Sequence, residues 1–123
     1  MRGFRGATTV TENTEAEILT ETEKLVRTLV EKNDIEPEKI SHVFFSVTDD
    51  LNAVFPAKVS RSIPGWKYVP VMCMKEIDVP NSLEKCIRVM LVAETDVKQE
   101  EVEHIFLNEA VKLRPDLVDG KKV

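Results

Sequence analysis

The sequence predicts an α+β fold, a mixed β-sheet packed with helices, and three observations carry that prediction. One long segment places apolar residues at helical spacing, several short ones are β-branched or nearly continuous apolar runs, and turn residues separate them in the order β-α-β-α-β-β-α-β. The chain has 123 residues, so a second independent core would leave each half near the size limit for folding alone. One domain over residues 1–118 is expected, followed by a polar, frayed tail over 119–123.

The first strand runs from Phe4 to Val10, where Gly6, Ala7 and Thr8 permit close backbone approach. Thr14-Glu15-Ala16-Glu17 has the form of a capping box, with Thr14 accepting from the third helical N–H and Glu17 reaching back. A helix of about 20 residues follows, burying Ile18, Leu25, Val26, Leu29 and Val30 until Asn33-Asp34 and Pro37 stop it. Ile40–Val47 is short, β-branched and aromatic, hence a strand. Asp50 or Asn52 can cap a second helix over Phe55–Arg61, with Pro56 in its first turn and Pro64-Gly65 beyond its end. Tyr68–Met74 and Cys86–Ala93 are apolar runs expected as strands covered on both faces. Gln99–His104 reads as a short helix, Ile105–Leu107 as a strand and Glu109–Leu113 as a helical turn.

Composition removes several function classes. With 17 Lys+Arg against 22 Asp+Glu, the formal net charge is -5, so no global positive field exists to bind a nucleic-acid backbone. Two cysteines without metal-ligand spacing argue against a disulfide scaffold or a zinc site and suit a reducing cytoplasm. The start Met1-Arg2-Gly3-Phe4-Arg5-Gly6 lacks a signal-like apolar stretch, and no run approaches the roughly 20 apolar residues of a membrane span. No Gly-rich nucleotide loop or nucleophile-turn motif occurs among the four glycines. The glutamates at 12, 15, 17, 21 and 23 suit the N-terminal side of a helix rather than a metal site.

The informative residues are cations in unexpected places. Strand alternation puts Arg88 on the same face as Cys86, Met90 and Val92, in apolar company. A guanidinium there needs an anion, which is either an internal carboxylate, Glu76 or Glu94, or a carboxylate on a ligand. Arg5 also lies within a strand, where it either blunts an edge or meets a ligand. Lys58 and Arg61 are three apart and share a face, and Arg114 follows a short helical turn. Each has an ordinary structural reading, whereas together they suit a small polyanion. His42 and His104 have no nucleophile partner, and Cys73 reads first as a buried, inert thiol.

The blocks Arg2-Gly3-Phe4-Arg5-Gly6-Ala7-Thr8-Thr9-Val10, Ala53-Val54-Phe55-Pro56-Ala57-Lys58, Gly65-Trp66-Lys67-Tyr68-Val69-Pro70-Val71, Cys73-Met74-Lys75-Glu76, Lys85-Cys86-Ile87-Arg88-Val89-Met90 and Leu113-Arg114-Pro115-Asp116-Leu117 resemble, in order, those of the monofunctional AroH-class chorismate mutases. The resemblance covers nearly the whole chain. It implies a homotrimeric pseudo-α/β-barrel with active sites between subunits, chorismate as substrate, prephenate as product, and no cofactor, metal or covalent intermediate.

By the same resemblance, Arg88 donates to the breaking ether oxygen and a carboxylate, with Arg5 on the enolpyruvyl portion and Glu76 and Cys73 on the ring-hydroxyl side. Phe55, Ala57, Met72 and Leu113 would line the pocket, with Lys58, Arg61 and Arg114 at its mouth. Two positions depart from the family pattern. Phe106 stands where a tyrosine is expected, and Met72 replaces a smaller polar residue. Two other classes are compatible with carboxylate-binding arginines: a non-catalytic or regulatory trimer binding carboxylate metabolites, and a YjgF-type imine hydrolase.

Overall fold

Residues 1–114 are described in a computed structural model of the chain; the expected domain end at 118 and the tail over 119–123 lie outside the described residues. The strands are β1 (Arg2–Thr9), β2 (Ile40–Val47), β3 (Val71–Lys75), β4 (Cys86–Ala93) and β5 (Ile105–Phe106), with one α-helix among the described residues, α1 (Glu15–Lys32). They form one mixed sheet in the order β3-β2-β4-β1-β5. Antiparallel β4 joins β1 to β2, while β3 runs parallel to β2 and β5 parallel to β1.

Alternation along the strands decides what each face meets. Phe4, Val43, Phe45, Val89 and Leu91 point to one face and are buried with Leu25, Val26 and Leu29 of α1. Their neighbours Arg5, Phe44, Arg88 and Met90 take the other face. Among the described residues that face is covered only at one end, where Ala110 packs with Ala7 and Cys86. Elsewhere Phe44, Met72, Met74 and Met90 stay 36% to 61% exposed. The expectation that the third and fourth strands are covered on both faces is therefore corrected within this chain: their apolar runs build a core on one side and an open face on the other.

Several local expectations are also corrected. Thr14 caps α1 by accepting from the Glu17 N–H at 3.2 Å, but Glu17 does not return to Thr14. Its carboxylate accepts instead from the Thr11 and Glu12 N–H groups, and the Thr11 N–H is the main reason its pKa lies below the ordinary carboxylate value. The second helix is a 3₁₀ segment, Pro56–Arg61, without a side-chain cap. Asn52 and Asp50 are engaged elsewhere, with Asn13 and with the Lys85 N–H.

The third strand starts at Val71 rather than Tyr68, because Val69 donates to Trp66 in a turn and Pro70 has no N–H to donate. The Gln99–His104 helix shrinks to a 3₁₀ turn, Gln99–Glu101, and the last helical turn is 3₁₀ over Asn108–Lys112. No helix among the described residues is long and apolar enough to cross a membrane.

At Gly6, side chains of α1 and β4 and the backbone of β5 all crowd against β1. A Cβ there would lie 3.0 Å from Leu25 Cδ1, 3.1 Å from Val89 Cγ1 and 3.3 Å from the Ile105 carbonyl oxygen. Two of these are core side chains and the third is backbone, so the neighbours cannot all retreat. Gly6→Ala is expected to lower unfolding free energy by about 1–3 kcal/mol, read from urea denaturation; an unchanged midpoint would contradict this crowding.

Candidate active site

Two groups of the expected site residues form, on opposite sides of the sheet. The first surrounds a cleft of about 1100 Å³ between β3, the end of β2 and the loop leading into the 3₁₀ segment. Phe55, Ala57, Lys58, Arg61 and Cys73 all line it. Cys73 pairs in register with core-facing Phe45, which puts its thiol on the helix side of the sheet. Burial raises the thiol pKa, and the Ala57 N–H directed at the sulfur offsets part of that rise. Cys73 is therefore a neutral group at physiological pH, suited to a hydrogen bond or a packing contact.

The wall of this cleft is held from two directions. Leu51 is buried with Val10, Ile18 and Ile87. Asn13 Oδ1 accepts from both the Asn52 and Ala53 N–H groups at 3.1 Å, and its amide nitrogen donates to Asn52 Oδ1 at 2.7 Å. Beyond these anchors Phe55 projects outward, 74% exposed, an unusual cost for a large apolar ring in an isolated chain. At the mouth, Lys58 Nζ lies 3.6 Å from Glu15 Oε2 at the start of α1.

The second group occupies the open face. Arg88 sits opposite Ala7 on β1 and Ser46 on β2, and Ala7 sits opposite Phe106 on β5. Arg5 lies one row further along this face, opposite Met90. Glu76, whose N–H extends the β2–β3 ladder to Val47, brings Oε2 to 3.1 Å from Arg88 Nε. The contact is out of line for a hydrogen bond, so charge rather than alignment holds it. Of the two internal acids considered for Arg88, Glu76 is the partner, while Glu94 pairs with Lys39. Burial raises the Cys86 thiol pKa, and the adjacent Arg88 guanidinium works against that rise.

With the Arg88 side chain 41% exposed, its pair with Glu76 is worth of order 0–1 kcal/mol. A ligand carboxylate can therefore compete for this guanidinium. Leu113 packs with Phe106 around Ala7, Cys86 and Ala110 at the covered end of the same face, and Arg114 follows it near enough for its charge to act on His104. Met72 faces the open side opposite Phe44, so its side chain points away from the cleft that its neighbour Cys73 lines.

Two residues that sequence reasoning did not assign shape these groups. His104 Nδ1 accepts the Arg5 backbone N–H at 3.0 Å. Its position just before Ile105-Phe106, on the Phe106 side of the alternation, was the available signal. Asn13 had none, because its partners lie 39 and 40 positions along the chain. Among the described residues, no three His, Cys, Asp or Glu side chains gather closely enough to hold a metal ion.

Comparison with known proteins gives this geometry its context. The family model for chorismate mutase type I matches residues 1–117. The AroH chorismate mutase of Bacillus subtilis (strain 168) is 51% identical over 117 residues, covering 95% of this chain and 92% of its own. That of Thermus thermophilus is 44% identical over 118 residues, covering 95% and 96%. A solved chorismate mutase from Clostridium thermocellum superposes with a TM-score of 0.86 at 49% identity, over 89% of this chain and 97% of its own. The match in sequence runs through both groups of site residues and the match in structure through the sheet that carries them, and the chain belongs to the type I chorismate mutase family.

Proposed function

We propose that this isomerase rearranges chorismate to prephenate, in aromatic amino acid biosynthesis, at a site completed between neighbouring copies of the chain in a homotrimer. The observation that carries the shared site is the separation of its parts. The cleft of Phe55, Ala57, Lys58, Arg61 and Cys73 lies on the helix side of the sheet, whereas Arg5, Arg88, Glu76 and Phe106 face the other way. One chain cannot fold both around a single small molecule. A second copy that seats its cleft edge on the open face joins the two groups and covers Phe44, Met72, Met74 and Met90, apolar surface otherwise left to water. The reading includes a cytoplasmic setting, supported by the free thiols of Cys73 and Cys86.

The chemistry follows from charge. As the ether C–O bond breaks and the new C–C bond forms, negative charge grows on the ether oxygen and the ring becomes relatively positive. A fixed guanidinium at that oxygen gains more in the transition state than with bound substrate, which is the condition for acceleration. Arg88 has this role and also holds a carboxylate, with Arg5 on the enolpyruvyl portion. Glu76, released from Arg88 as substrate enters, faces the ring with Cys73 from the neighbouring copy. Lys58, Arg61 and Arg114 attract and retain the dianion, while Phe55, Ala57, Leu113 and the Met72 backbone confine it in a compact conformer. An acceleration of order 10⁶ needs roughly 8 kcal/mol, within reach of these electrostatic and positioning effects together.

The comparisons support neither the metabolite-binding regulatory trimer nor the imine hydrolase. Purified protein is expected to deplete the ultraviolet absorbance of chorismate with stoichiometric appearance of prephenate; binding without turnover would overturn the catalytic reading. A shared site is tested by mixing an Arg88→Ala chain with a Lys58→Ala/Arg61→Ala chain, each nearly inactive alone. Random assembly joins an intact cleft to an intact cation face at about a quarter of interfaces, so about that share of wild-type activity should return. No recovery on confirmed subunit exchange would refute it.

Two substitutions test individual roles. Arg88→Lys keeps the charge but not the forked donors, and kcat should fall about 100-fold or more with assembly and melting temperature preserved. Phe106→Tyr supplies a hydroxyl beside the cations, and a new hydrogen bond to a carboxylate should lower KM about three- to tenfold with kcat little changed. An unaltered KM would remove position 106 from the carboxylate contacts.

A further inference from the structure

We propose that His104 is a positioning residue for Arg5, its uncharged imidazole holding the Arg5 backbone N–H and releasing it on protonation. The inference rests on Arg5 belonging to the substrate site as proposed above. Strand β5 pairs with β1 only through Ile105 opposite Gly6 and Phe106 opposite Ala7. The ladder therefore stops one residue short of Arg5 on that side. Where the next strand residue would offer a carbonyl, the His104 ring nitrogen Nδ1 accepts the Arg5 N–H at 3.0 Å. A ring nitrogen accepts only when it carries no proton, so this bond selects the neutral imidazole with its proton on Nε2.

Among the described residues, the charges that act on the ring, those of Arg5 and Arg114, work in the same direction. Arg5 reaches it from β1 and Arg114 from the segment after the last 3₁₀ turn, while α1 lies on the other face of the sheet. Glu103, next along the chain, has its N–H and carbonyl tied to Asn33 at the end of α1. Burial first, then the charges of Arg5 and Arg114, keep the imidazole pKa below its ordinary value of about 6.5. Since the folded protein binds this proton more weakly than the unfolded chain, the stabilisation is complete above about pH 6.5 and is lost as pH falls through the folded value. Protonation converts the acceptor into a donor facing another donor. It also adds a third cation beside two guanidinium groups, and Arg5 loses the anchor that aims it.

The test is chorismate kinetics between about pH 5 and 8 on the wild type, His104→Asn and His104→Leu, with assembly and melting checked for each. Asparagine offers Oδ1 near the place of Nδ1 and does not titrate. Wild-type kcat/KM should fall about tenfold toward pH 5, chiefly through KM, whereas His104→Asn should stay within about threefold of the neutral-pH value and lack the fall. His104→Leu should lose about tenfold at every pH.

An acid fall that persists in His104→Asn, or a wild-type KM in His104→Leu, overturns the proposal. The Arg5 backbone amide, followed by ¹⁵N NMR, separates this failure from that of the site reading. If the amide does not follow the His104 titration, the hold itself is refuted. If it does but Arg5→Ala leaves chorismate kinetics unchanged, Arg5 lies outside the site and the positioning role falls with it.

Discussion

The two-residue period of the strands is the constraint on which the rest of the structure depends. In β1 and β4 one parity supplies Phe4, Val89 and Leu91 to the core beneath α1, so Arg5 and Arg88 must share the other parity. A slip of one residue would bury two guanidinium groups and expose the core together. Register is thus enforced by burial of the core, and the cations inherit their face from it. Groups fixed by the sheet need little reorganisation when charge develops beside them.

The same constraint leaves one face of the sheet largely open among the described residues. A sheet with one helix-covered face has nowhere within the described residues to bury Phe44, Met72, Met74 and Met90, and its cleft opens at the edge beyond β3 rather than over the cations. Exposed apolar surface and a divided set of candidate site residues are then two consequences of one geometry. The weak Arg88–Glu76 pair fits this arrangement. Worth little where the side chain is part exposed, it leaves a guanidinium that can exchange Glu76 for another carboxylate.

Much of this was legible in the sequence because it depends on period and local chemistry. Helical spacing and the Thr14 cap located α1, and alternation assigned Arg88 its face. What was not legible depends on partners distant along the chain. Glu76 and Glu94 were equal candidates for Arg88 until the β2–β3 ladder, extended by the Glu76 N–H, brought only one of them near. Pro56 was compatible with either helix type, and the short segment closed as 3₁₀. The apolar run of β4 was read as covered on both sides, yet its part-exposed face carries the same residue types as a core. The role of His104 depends on where β5 stops pairing, and strand ends are what sequence patterns define least.

A chain of net charge -5 is an unexpected receptor for a dianion, and distance resolves the conflict. At physiological ionic strength, exposed charges more than about 8 Å apart are largely screened from one another. The acids at Glu15, Glu21 and Glu23 lie on α1, on the far side of the sheet from Arg5 and Arg88. A nucleic acid would span several screening lengths and meet the negative surface as well as the positive patch. A small dianion at the open face would meet Arg5 and Arg88 together with the one carboxylate paired there, Glu76. Net charge therefore argues against extended polyanions while leaving open a small, densely charged acid.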